Sequence, residues 1–363
     1  MNKTNVIMSS LLRSFKNSFV YCIDKLYDMK TTLSFYVILT LFCYGPLHAQ
    51  LVKQEISFES GNPFSLSDII LNLEAQEKQT VFGQLSIPSD SLNPDKKFPL
   101  IIGVAGSLGW RKHHLEYMEM YQQDGFATFE LNSFKSRGIT STVGSQDEVT
   151  IAAIILDAYR ALEYLAQHPN IDKDKVSITG WSLGGGVSLF SGWMPVKNAI
   201  TTNVSFASHL AFYPPCFIDP ENLEFTQAPI HILIGEKDNW TPATPCSNLT
   251  KKLEKKANID LTTYPDSHHS FDSETPVTRN EKGYSFKDCL FTLTKDGDVL
   301  MNYLQLPMST PLLQKLGFMF CVEQGVDIGG NPAARKKAFA FAKEFMTITL
   351  KGEIQNIDVF RAK

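Results

Sequence analysis

Basic clusters are missing from this 363-residue chain: no lysine- or arginine-rich run and no aromatic-basic stripe interrupts a formal net charge of −4 and a pI near 6.1. A nucleic-acid partner needs such a face to meet its phosphates, so that class is set aside. Neither C-x-x-C nor a His/Cys spacing of the zinc-site kind occurs, so no metal or other cofactor is expected. Internal repeats are absent, and no linker rich in Pro, Gly or Ser divides the chain. One domain is therefore expected from residue 50 to residue 363. Long hydrophobic runs are also lacking, since the run Leu33–Phe42 is too short to span a bilayer comfortably. What remains is an ordinary globular composition, 43% hydrophobic and 20% charged.

The first 49 residues differ in kind from the rest. Met29-Lys30 precedes the apolar run, and Gly45-Pro46-Leu47-His48-Ala49 supplies a small residue before Gln50. This reads as a secretory signal cleaved after Ala49, with Met29 the expected start and residues 1–28 an upstream extension or a long basic leader. An uncleaved anchor is the alternative, and a membrane enters the reading only in that case. Export to the periplasm or the medium is expected. The four cysteines beyond this segment, Cys216, Cys246, Cys289 and Cys321, are an even number in an exported chain, which makes disulfides plausible and leaves their pairing open.

Strand and helix signals alternate after that point. Glu55–Phe58 and Val81–Ile87 alternate in polarity, as strands of an antiparallel lead-in do. Phe98–Val104 is continuously apolar, as expected of a strand buried on both faces. A helix from His114 to Gln123 and a strand over 126–131 follow. Ser145-Gln146-Asp147-Glu148 has the form of a capping box, predicting a helix from there to about Gln167. Further strands are expected over 176–179, 209–213, 230–234 and 259–264, with helices from Leu183, near 247–255 and over 332–349. The alternation predicts an α/β fold with a mostly parallel sheet and helices on both faces. Residues 273–328 break the rhythm and read as an inserted excursion, with a hairpin around Lys295–Asp298.

The stretch Gly180-Trp181-Ser182-Leu183-Gly184-Gly185-Gly186 stands between a strand and a helix start. A serine in a strained strand-to-helix turn needs neighbours without side chains, which Gly180 and Gly184 supply. Its hydroxyl would stand at the carboxyl edge of the sheet, with the N-terminus of the following helix aimed at a developing oxyanion. A serine hydroxyl is a weak nucleophile, so it requires a histidine to take its proton and a carboxylate to hold that histidine. Ile232–Asp238 carries an acid after one strand, and Tyr264–Asp272 carries His268 and His269 after the next. Asp238, Glu236 and Asp266 compete for the acid's role. His209 and His231 lie within strands and read as core residues, and His168 closes a helix. The second oxyanion donor is expected in the loop after Val104, with the Ser107 N–H joining that of Leu183. His113 and His114 lie near that loop, Trp181 adjoins the serine, and all three are candidates to touch substrate. Arg137 follows a strand end and either binds a substrate carboxylate bidentately or braces its own loop by an ion pair.

Taken together, these residues resemble the dienelactone hydrolase family of α/β-hydrolases, in particular its larger exported members. The likeness spans most of 98–350 and rests on the Gly180–Gly186 turn, Ser133–Gly138, Asp238-Asn239-Trp240-Thr241-Pro242, Tyr264-Pro265 with His269–Asp272, and Gly330–Ala334. It implies that His269 is the base and Asp238 the acid. It also implies disulfides joining Cys216 to Cys246 beside the acid loop and Cys289 to Cys321 across the excursion. The founding members use a cysteine nucleophile with a glutamate and arginines for a carboxylate-bearing lactone, whereas here the nucleophile is Ser182, no matching glutamate is evident and the usual His-Gly is Ala105-Gly106. The resemblance therefore implies an exported serine hydrolase of small-molecule carboxylic esters acting through an acyl-enzyme. Amidase, peptidase or acyltransferase chemistry with the same three residues, or a non-catalytic binding protein of this fold, are the alternatives.

Overall fold

The computed structural model describes residues 51–90 and 93–352. The expected export segment, with its start at Met29 and cleavage after Ala49, lies outside the described residues. In chain order the elements are β1 (Leu51–Gly61), α1 (Leu66–Asn72), β2 (Lys78–Pro88), β3 (Phe98–Val104), α2 (Lys112–Gln123), β4 (Ala127–Leu131), α3 (Ile151–Leu165), β5 (Ile171–Trp181), α4 (Leu183–Phe190), α5 (Met194–Ile200), β6 (Ser208–Phe212), β7 (Ile218–Pro220), β8 (Ile230–Gly235), α6 (Ala243–Leu253), β9 (Ile259–Tyr264), β10 (Thr278–Ser285), β11 (Phe291–Leu293), β12 (Val299–Leu300), α7 (Pro311–Phe318), β13 (Glu323–Ile328) and α8 (Pro332–Lys351).

Eight strands form one sheet in the order β1-β2-β4-β3-β5-β6-β8-β9. β2 runs antiparallel to both β1 and β4, and every pairing from β4 onward is parallel. The apolar runs explain the centre: β3 and β8 are buried almost throughout because helices cover both faces. Helices α2 and α8 pack together on one face, α3 and α4 on the other. β5 lies between β3 and β6, with Gly180 level with Val104 on one side and Ala211 on the other. The turns leaving β3, β5, β8 and β9 therefore share one edge of the sheet, where a ligand site belongs in this architecture.

Two local expectations are corrected. The predicted capping box does not start a helix: the Ser145 hydroxyl lies 2.7 Å from Glu148 Oε2, so it donates to the carboxylate and the box closes side chain to side chain. Gln146 has φ 60°, and the helix starts only at Ile151, capped by Thr150 Oγ1 accepting from the Ala153 N–H at 3.3 Å. The opposite error concerns α1, which was not foreseen. Ser65 and Asp68 form a reciprocal box there, Ser65 Oγ accepting from Asp68 N–H at 3.2 Å and Asp68 Oδ2 from Ser65 N–H at 2.9 Å.

The 273–328 excursion contains β10–β13, α7 and the expected hairpin, β11 against β12 around Gly297. It pairs β10 with β13 and adds β11 to β7. Its Phe286, Phe291, Met301 and Met308 form a second apolar cluster with Phe217. Cys216 is bonded to Cys246 and Cys289 to Cys321, the pairings that the resemblance implies.

Candidate active site

Ser182 occupies the turn between β5 and α4 at φ 57°, ψ −114°, a conformation that costs about 1–3 kcal/mol for a residue with a side chain. Its surroundings enforce it. The Ser182 N–H donates to Phe212 O at 2.9 Å, and a Cβ on Gly180 would stand 2.1 Å from Gly184 O, one on Gly184 2.2 Å from Val104 O. Backbone from β3, β5 and α4 thus meets at van der Waals distance, which only glycine permits.

His269 comes from the turn after β9 and Asp238 from the turn after β8. These turns touch backbone to backbone because Gly235 has no side chain; a Cβ there would lie 2.3 Å from Ser267 O. Ser182 Oγ lies 2.9 Å from His269 Nε2, and His269 Nδ1 lies 2.8 Å from Asp238 Oδ2. The carboxylate can only accept, so Nδ1 carries the proton and Nε2 accepts from the serine hydroxyl. Asp238 Oδ1 in turn accepts from the Trp240 and Thr241 backbone N–H groups at 2.9 and 2.8 Å, which fixes the carboxylate in its own turn. Thr241 Oγ1 donates to Tyr213 O at 2.9 Å and lies 3.1 Å from Asp238 Oδ2. The Tyr213 ring stands edge-on to the His269 imidazole, centroids 4.6 Å apart.

The competitors are elsewhere. Glu236 is exposed and accepts from the Asp266 N–H, while the exposed Asp266 pairs with Lys237, whose ammonium holds its carboxyl below the usual range. His268 Nδ1 is buried with no hydrogen-bond partner among the described residues. His209 and His231 are buried, as expected of strand residues, and burial pushes them down to about 4 and about 3. Ser107 and Leu183 line a cavity together with Ser182.

Four residues singled out as candidate substrate contacts have different fates. Arg137 braces its own loop: its guanidinium grips both Asp157 oxygens at 2.7 and 3.1 Å, and donates to Asn62 Oδ1, Ser133 O and Gly61 O. All five N–H donors are spent, so it has none left for a substrate carboxylate. Trp181 is fully buried, stacked on His114 at 4.5 Å and on Phe212 at 5.4 Å, and serves as core. His113 is turned inward, 3.4 Å from the Tyr213 hydroxyl and 3.8 Å from Asp272, and burial lowers its pKa. His114 does line a recess with Ser182 and His269; its Nδ1 accepts from the Arg111 N–H, and burial holds its pKa well below the ordinary value.

Several lining residues escaped sequence reasoning. Phe64, Ser65 and Leu66 at the start of α1 line the cavity, and the only signal for them was the Ser-x-x-Asp pattern at 65–68. Among the described residues no cluster of His, Cys, Asp and Glu could hold a metal ion, and no helix is long and apolar enough to cross a membrane.

The mostly parallel sheet, the strained serine between strand and helix, and the acid and histidine after β8 and β9 define an α/β-hydrolase fold. Residues 94–287 match the model of the dienelactone hydrolase family, and the chain belongs to that family. Among curated relatives it is 27% identical over 124 residues to the Bradyrhizobium sp protein named "Probable 2-oxo-3-(5-oxofuran-2-ylidene)propanoate lactonase", covering 32% of this chain and 48% of that one. It is 28% identical over 195 residues to Protein bem46 of Schizosaccharomyces pombe, covering 47% of this chain and 61% of that one. The chain thus spans about half to three fifths of those relatives. The solved structure described as m3DLH shares the fold at 13% identity, with a TM-score of 0.50 over 83% of this chain and 99% of that one.

Proposed function

We propose that this protein is an exported serine hydrolase of small-molecule carboxylic esters, with residues 50–363 forming one catalytic domain that carries the 273–328 excursion. The observation that carries the reading is the continuous relay from Ser182 Oγ through His269 to Asp238, at 2.9 and 2.8 Å. Ser182 Oγ attacks the ester carbonyl as its proton passes to His269 Nε2. Asp238 keeps the imidazole oriented and stabilises it once charged. The Ser107 and Leu183 N–H groups take the oxyanion, that of Leu183 with the dipole of α4 behind it. Collapse expels the alcohol, which leaves with the proton from His269 Nε2, and Ser182 stays acylated. Water then attacks the acyl-enzyme with His269 again the base, releasing the acid and free Ser182. Export is supported by two disulfides, which form and persist in oxidising compartments.

The test is labelling of the purified protein with a fluorophosphonate beside Ser182→Ala and His269→Ala. Labelling lost in both, with turnover of 4-nitrophenyl acetate down by about 10³-fold or more, is the expected outcome. A folded protein that neither labels nor turns over any ester would leave a binding protein instead.

A further inference from the structure

Two recesses meet at Ser182, and their walls differ in kind. The smaller, about 20 Å³, has His269 in its wall with Gly106, Leu108, His114 and Ile328. The larger, about 120 Å³, has Ser107 and Leu183 in its wall, and His269 is not among its lining residues. Ester cleavage assigns them. The departing alkoxide must take its proton from His269 Nε2, so the alcohol lies in the recess that the imidazole walls, and the acyl group is left with the other.

We infer that the larger cavity is an acyl pocket for a neutral, apolar group of about one ring, and that the excursion sets this choice; the inference rests on the hydrolase reading above. Among the described residues no Asp, Glu, Lys, Arg or His lines this cavity. Phe286, Phe291, Met308 and Phe318 from the excursion line it together with Phe217 and Trp240, Phe217 stacked on Phe286 at 4.5 Å. Three of the polar side chains in the wall hold partners within the protein. Gln314 Nε2 donates to Gln146 O at 2.9 Å, Thr150 Oγ1 to Pro63 O at 3.1 Å, and Thr241 Oγ1 to Tyr213 O. With Arg137 spent on Asp157, an ionised acyl carboxylate would enter this space with no cation to meet it. Size points the same way, since an apolar cavity of roughly 150 Å³ accepts a benzene ring.

The walls of the pocket are also tied to one another. Cys289–Cys321 closes the excursion, and its hairpin is tied to α1 on the far wall. The Ser67 N–H donates to Gly297 O at 3.1 Å and the Ser67 hydroxyl to Asp298 Oδ1 at 2.7 Å.

The experiment uses the whole protein and 4-nitrophenyl esters that share one alcohol: acetate, butyrate, benzoate and hydrogen succinate. Fluorophosphonate titration first counts reactive Ser182. Butyrate and benzoate are expected to exceed hydrogen succinate by about 10²-fold or more in kcat/KM, a carboxylate paying its desolvation unpaired. Met308→Trp, which fills the cavity, should lower kcat/KM for benzoate at least ~10-fold more than for acetate, a discrimination of the size that pocket shape supplies. Phe318→Ala, which opens the cavity, should move the preference toward longer acyl chains, and it carries the test if Met308→Trp fails to label. Wild type that labels while hydrolysing hydrogen succinate as well as butyrate, or a preference that neither variant moves, overturns the acyl pocket and leaves the hydrolase. Wild type that neither labels nor turns over any of the four esters overturns both.

Discussion

Arg137→Met is expected to cost stability rather than chemistry. In the wild type the guanidinium, with 6% of its side chain exposed, holds a carboxylate on α3 that is wholly buried. Removing it leaves Asp157 with the Ser60 hydroxyl at 2.6 Å as its remaining neutral donor. Stranding a buried charge in this way costs about 3–5 kcal/mol. Gly61 O and Ser133 O lose donors as well, which pushes the loss to the upper end. For a chain of 363 residues that corresponds to a Tm roughly 4–8 °C lower. Arg137→Lys should lose less but not recover the wild type, because an ammonium keeps the charge paired yet cannot span two carboxylate oxygens and two carbonyls from one position. The double variant Arg137→Met/Asp157→Leu should recover more than half of the loss, since a packed apolar pair leaves no charge stranded. Urea denaturation reads the stability, and turnover of 4-nitrophenyl acetate per fluorophosphonate-labelled molecule reads the site. A destabilised variant with near-normal turnover per labelled site is the expected pattern. Wild-type stability combined with selective loss of a carboxylate-bearing ester would refute the brace and return Arg137 to substrate binding.

Two further outcomes follow from buried groups. Burial lowers the pKa of His209 from 6.5 to about 4, so between those values the unfolded chain binds a proton that the folded one does not. Its stabilising contribution is therefore full above pH 6.5 and is lost as pH falls toward 4; denaturation at pH 7 and pH 5 should differ less in His209→Gln than in wild type, and an equal difference would exclude this residue as a cause. Replacing Cys289 and Cys321 together by serine frees a loop with a sequence separation of 32 and should cost about 2–4 kcal/mol. Limited proteolysis should then cut within 273–328 before the central sheet, and a cleavage pattern unchanged from wild type would argue against this.

How much of this was legible beforehand depends on the range over which each feature is decided. The elbow at Ser182 is a matter of a few consecutive residues, because the clash that Gly180 and Gly184 avoid is with their own turn and the strand beside it. The apolar runs of β3 and β8 likewise announce their burial without reference to any partner. The order serine, acid, histidine could be read along the chain, and the choice of Asp238 and His269 came from the Trp-Thr-Pro and Tyr-Pro contexts rather than from spacing. Side-chain partners are another matter. Ser145 had both a helix start and a nearby carboxylate within reach, and only the fold chose the carboxylate. Arg137 could equally hold a ligand or a brace until β1 and α3 brought Gly61 and Asp157 to it, 76 and 20 residues away in sequence. The cavity beside Ser182 is the extreme case. Its walls come from α1, the turn before β7 and the far side of a disulfide-closed excursion, so no window of sequence contains it. Local sterics and periodicity are written in neighbouring residues; which buried donor meets which acceptor, and what space is left between them, is decided only when distant segments pack.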